Sequence, residues 1–172
     1  MKKIFVLLTI LCVAVFTNIT CLAATGPEYD ATFNNGKGAL YANGRNITIT
    51  EDETLGTVVT WDGGSQVVPD TVTIFGGGTA RTSYEEVKIT MESGTVDSIV
   101  AGGVSTVENS PANVNNSEII LNGGTVSNKL VGGGYLYSSV DNAKITMNGG
   151  TVSCINGGGF ASVLRTTSRF RR

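Results

Sequence analysis

The chain contains no histidine. That absence removes the commonest general base, the usual serine triads and most transition-metal sites. Cysteine is scarce: of three, Cys12 and Cys21 fall within the first 24 residues. Once those residues are removed, Cys154 stands alone, no intrachain disulfide forms, and packing alone must hold the fold. With no histidine to activate it, Cys154 reads as a filler residue and not a nucleophile. After residue 24 there is no helical stripe of ten or more residues and no second long apolar run. The calcium-binding nonapeptide pattern, paired aspartates and a Gly-His-Gly segment are missing as well.

What is present starts with Met1-Lys2-Lys3, an apolar run from Ile4 to Phe16, and small residues at Ala23 and Ala24. Residues 1–24 therefore read as a signal peptide, too short for a permanent membrane span, cut after Ala23 or Ala24. The residues before Cys21 make a poor lipobox. The expected localisation is secreted or cell surface, with no transmembrane segment after cleavage. Loss of Lys2 and Lys3 leaves 10 basic residues against 14 acidic ones. Four of the ten, Arg165, Arg169, Arg171 and Arg172, lie in the last eight positions, so the body up to Leu164 carries 6 against 14. A phosphate backbone wants a cationic face, which argues against a nucleic-acid partner. The arginine-rich end reads as a solvated terminus.

Glycine, by contrast, is plentiful and periodic. "KITMESGTVDSIVAGGV" (Lys88 to Val104), "EIILNGGTVSNKLVGGGY" (Glu118 to Tyr135) and "KITMNGGTVSCINGGGF" (Lys144 to Phe160) align, the middle copy with one extra residue. A degenerate copy is read from Val59 to Thr79, placing the second glycine of the first cluster at Gly64, Gly94, Gly124 and Gly150. Repetition near 25–30 residues marks a stacked array. Within each copy, Ile89 and Met91, Ile119 and Leu121, Ile145 and Met147 recur two apart, which predicts strands. Inward columns are expected at Val96, Val126 and Val152, and at Ile99, Leu130 and Ile155. The glycines read as corners, and Asn122 above Asn148 as a hydrogen-bonded ladder.

These repeats resemble the Gly-rich "I-x-I-x-G-G-T-V" to "G-G-G" repeats of bacterial surface proteins. That group includes parallel β-helix adhesins and autotransporter-passenger-like proteins of pectin-lyase-like architecture. The resemblance covers about residues 57–160 and implies an all-β, right-handed parallel β-helix of about four to five coils. Residues 25–56 match poorly and read as an N-terminal cap or first coil. Residues 161–172 read as a basic tail or a truncated coil, with continuation of the array in a longer chain expected.

No residue reads as catalytic, cofactor-binding or metal-binding. Glu51-Asp52-Glu53 reads as a solvated turn. Asp62 and Glu92 are expected at equivalent corners of successive coils, close enough to share a cation, but the next coils carry Asn there and the preferred reading is exposed corners that tolerate any polar residue. Glu85 and Glu86 beside Arg81 and Lys88 read as surface ion pairs. Tyr135 and Phe160 are equivalent and expected to pack on one edge. Thr90, Ile120 and Thr146 break the threonine rank that an ice-binding face needs. The reading is a non-catalytic structural or adhesive surface element. Its expected partners are host or matrix glycans or surface proteins, met through the variable segments Ser105 to Asn116 and Leu136 to Asn142. The alternative is a fragment of a β-helical polysaccharide lyase or glycoside hydrolase, or a glycan-binding module.

Overall fold

The computed structural model describes residues 26–159, so the expected signal peptide, Phe160 and the tail 161–172 lie outside the described residues. β-branched side chains suit a pleated, half-buried surface, and the alternating segments are indeed extended. They form the ends of β7 (Thr82–Met91), β10 (Ala112–Leu121) and β13 (Val140–Met147). The three strands pair in parallel, with Ile89, Ile119 and Ile145 in one file and Met91, Leu121 and Met147 in another. A second parallel sheet carries β8 (Thr95–Val100), β11 (Thr125–Val131) and β14 (Thr151–Asn156). Its files are Val96, Val126, Val152 and Ile99, Leu130, Ile155. The chain passes from one sheet to the other, adding a rung to each, and the result is a nearly all-β solenoid of about four turns. Short strands β9 (Val104–Ser105) and β12 (Tyr135–Leu136) pair beside the corners.

The degenerate copy departs from expectation, and the first coil lies before it. That coil is built from β2 (Ala39–Tyr41) and β3 (Ile47–Asp52), followed in the next coil by β6 (Thr73–Phe75). Ile47 and Ile49 lie under Ile89 and Met91, and Leu40 lies under Ile74, which lies under Ile99. The copy read from Val59 to Thr79 therefore holds only in its second half. Val59, Asp62 and Gly64 belong instead to a hairpin of β4 (Gly56–Trp61) and β5 (Gly64–Val67), with β4 antiparallel to β3. The hairpin turn needs a glycine of its own, Gly63 at φ 94°, and so its doublet imitates a solenoid corner.

That hairpin has a structural use. An open strand edge invites further pairing, and solenoids cover theirs. Here β1 (Glu28–Asp30) runs antiparallel to β2 and covers the edge of one sheet, while β4 and β5 cover the edge of the other. Val59, Val68 and Val72 of this region are fully or almost fully buried and close the bottom of the core. At the other end, β13 and β14 are the outermost strands among the described residues, and Met147 and Ile155 are exposed.

The glycines at the corners meet two constraints, a positive φ and close contact between coils, and Gly123 and Gly149 of the first cluster meet the second. Gly94, Gly124 and Gly150 adopt φ of 90°, 81° and 78°, the left-handed region that side chains avoid. The second cluster is limited by contact between coils. A Cβ on Gly77 would sit 2.7 Å from the amide nitrogen of Gly103. That closeness lets the ladder continue through the corner: the Gly77 N–H donates to Gly102 O at 3.1 Å and the Gly102 N–H to Gly133 O at 3.1 Å.

Most buried polar side chains are satisfied. Ser117, under Ala143 and over Val87 in one register file, is buried with a hydroxyl that has no partner. Two consequences are measurable by urea unfolding. Ile119→Ala should cost about 2–5 kcal/mol, because its site is fully enclosed by the files above and below. Ser117→Ala should instead raise stability by about 1 kcal/mol by removing an unmatched hydroxyl. A destabilised Ser117→Ala chain would show that the hydroxyl does have a partner.

Candidate functional site

Outward side chains on successive rungs recur at the inter-strand spacing of about 4.8 Å, so polar residues meet as ladders. Asn148 Nδ2 donates to Asn122 Oδ1 at 2.8 Å, and Asn122 Nδ2 donates to Glu92 Oε1 at 2.9 Å. The expected asparagine ladder is there, and a carboxylate extends it. Asn142 Nδ2 donates to Asn116 Oδ1 at 3.1 Å in a second ladder. In a third, Glu118 lies between Lys144, at 2.8 Å, and Lys88, at 3.5 Å. The hydrogen bond from Lys144 is the main reason the Glu118 carboxyl is held below its ordinary value. A groove of about 360 Å³ runs beside these rows, with Lys88, Glu118 and Lys144 along one and Glu86, Asn116 and Asn142 along the next.

The other acids are placed as follows. Asp62 sits at the hairpin turn and is not stacked on Glu92, whose backbone N–H donates to Ile49 O in the coil below. The expected stacking of these two corners therefore does not occur; the register, not the glycine spacing, decides which corners are neighbours. Asp52 accepts the Thr54 and Leu55 N–H groups, both at 2.9 Å, and the Leu55 bond above all holds its carboxyl low. Glu51 Oε2 is 3.1 Å from the buried Thr57 hydroxyl, and Glu53 is exposed. Glu85 accepts from Asn115 Nδ2 at 2.9 Å, while Arg81 Nε donates to Ser110 Oγ at 3.1 Å. Lys88 pairs with Glu118, and Glu86 lines the groove beside Lys88. Cys154 is exposed on β14 and stacks on Lys129, two rungs above Ser98. The variable segments are mostly built into β9, β10, β12 and β13, and Ser105 and Ser138 hydroxyls tie them to backbone carbonyls.

A second groove, of about 260 Å³, lies on the outer face of the sheet that carries β6, β8 and β11. Its floor belongs to a small outer apolar cluster centred on Phe75. The Phe75 ring stacks on Tyr41 at 5.3 Å and meets the edges of Phe33 at 5.6 Å and Tyr135 at 6.3 Å. Burial pushes the Tyr41 phenol up to about 12, so it stays protonated. Phe33 arrives on the turn Phe33–Gly36, where Asn34 and Asn35 take left-handed φ of 49° and 61°.

The polar lip is formed by Asp97 and Asn128. Asp97 Oδ2 accepts from Ser98 Oγ at 2.8 Å and from Asn128 Nδ2 at 3.3 Å; Lys37 Nζ lies 3.6 Å from Oδ1. The extra residue of the middle copy falls here. Between Val126 and Lys129, two residues of β11 oppose one on each neighbouring strand. This is a β-bulge, a device that re-aims side chains. Sequence reading missed this groove because Phe33, Phe75 and Tyr135 share no period, and because an insertion of one residue says nothing of where it points.

The ion ladder predicts an acid response. Glu118 has a folded value below its ordinary one, so its contribution to stability is complete above the carboxylate range and is lost as pH falls through the lowered value. Melting scans between about pH 6 and pH 3 should fall less steeply for Glu118→Gln than for the parent. Superimposable acid limbs would remove this ladder from the account.

No protein-family model matches the chain, and neither the curated proteins nor the solved structures contain a detectable match.

Proposed function

We propose that the chain is an exported surface element, structural and adhesive, of the kind its repeats resemble among bacterial β-helix adhesins and autotransporter passengers. It works by presenting side chains on a stiff stack and not by catalysis. The side-chain ladders support this reading most directly. In these ladders, outward polar groups bond to their counterparts one coil away, which stiffens the stack and spaces surface groups evenly. A glycoside hydrolase would need a carboxylic acid with a raised value facing a second carboxylate. The larger groove carries Glu86 and Glu118, but Glu118 is held ionised between two ammonium groups.

The test is to produce the full chain with its own leader in a bacterial host. Mass spectrometry should find the product starting at Ala24 or Thr25, in the medium or on the outer surface. Retention inside the cell with Met1 still attached would overturn the reading.

A further inference from the structure

We infer that the groove between the Phe33–Phe75–Tyr135 aromatic cluster and the Asp97–Asn128 lip binds a neutral hexopyranose unit. The inference deepens the adhesive reading and rests on it. Three independent observations meet at this one place. The groove's lining is of two kinds: the half-buried rings of Phe33 and Tyr135, with Phe75 buried against them, and the planar groups of Asp97 and Asn128. A pyranose has two kinds of surface as well. Its axial C–H groups form an apolar face that packs on an aromatic ring, and its equatorial hydroxyls reach sideways for bidentate partners. Asp97 is already held by Ser98, Asn128 and Lys37, so binding a hydroxyl would cost little side-chain ordering.

The second observation is the bulge. Among the parallel pairings of the two large sheets, the register shifts within the strand only along β11, against both its neighbours. It falls at Ser127–Asn128, at the lip of the groove, where a regular rung would have left one residue opposite Asp97. The third is the turn carrying Phe33. It lies outside the repeat and lays a ring against Phe75, walling a face that the repeat alone would leave flat.

Size and charge narrow the ligand. About 260 Å³ suits one sugar ring, smaller than the usual range for drug-sized ligands. Asp97 shares the groove with Lys129, and Lys37 lies 3.6 Å from it, so the lip already holds charges of both signs and a ring without charge of its own leaves them undisturbed. A wholly apolar ligand would leave Asp97 and Asn128 desolvated without new partners.

The experiment uses the purified mature chain. Ligand-observed NMR titration is run with glucose, galactose, mannose and N-acetylglucosamine, and with galacturonate as the anionic comparator. At least one neutral sugar should bind, more tightly than galacturonate. Its Kd should weaken at least about tenfold in Tyr135→Leu, which keeps apolar packing but removes the ring face, and in Asp97→Asn. Deletion of Asn128, which straightens the bulge, should weaken it similarly. Asn142→Ala, in the other groove, should leave Kd unchanged. Circular dichroism checks that each variant stays folded, and Asp97→Asn decides the matter if Tyr135→Leu unfolds. The inference is overturned if no neutral sugar binds, if galacturonate binds best, if binding survives Asp97→Asn, or if Asn142→Ala abolishes it. Those results leave export and surface location, which are read separately, untouched.

Discussion

The structure depends on parallel strands stacking in register, coil on coil, with like residues above like. A side-chain period of two means that a slip of one residue would send every inward aliphatic to solvent. The Ile47–Ile89–Ile119–Ile145 file resists that slip from inside. The Asn148–Asn122–Glu92 and Lys144–Glu118–Lys88 ladders resist it from outside. Core and surface therefore specify the same register. No disulfide is available among the described residues to do so instead.

The glycines follow from this constraint. Where the chain turns from one sheet to the other, coils approach so closely that backbone meets backbone, and Gly77 against Gly103 leaves no room for a Cβ. Where the turn itself is tight, Gly94, Gly124 and Gly150 supply the positive φ. The abundance that makes the sequence look chemically empty is the condition for stacking. The groove lined by Phe33, Asp97 and Asn128 appears where the repetition is broken, at the Ser127–Asn128 bulge and beneath the Phe33 turn. A perfectly regular stack presents a flat face; a groove needs an irregularity to wall it.

Much of the solenoid is legible in the sequence, and the reason is physical. A residue such as Ile119 sees its own counterparts above and below, so the requirement at one position is copied at a fixed spacing. That copying reveals strands, inward files and the asparagine ladder. The first coil is not legible in this way. An inserted hairpin separates β3 from β6, and its Gly63–Gly64 turn uses the same residue type as a corner for a different reason. Reading Asp62 as the neighbour of Glu92 follows from that coincidence. The groove is harder still. Phe33, Phe75 and Tyr135 come together through the cap, one rung and one corner, and no periodicity links them.

The register itself can be measured directly by methyl NOE spectroscopy on the purified chain with labelled isoleucines. The account predicts contacts along the file from Ile89 to Ile119 and from Ile119 to Ile145, with the outward Ile120 methyls absent from it. Contacts from Ile120 to Ile89 and Ile145, or no contacts between these coils, would contradict it.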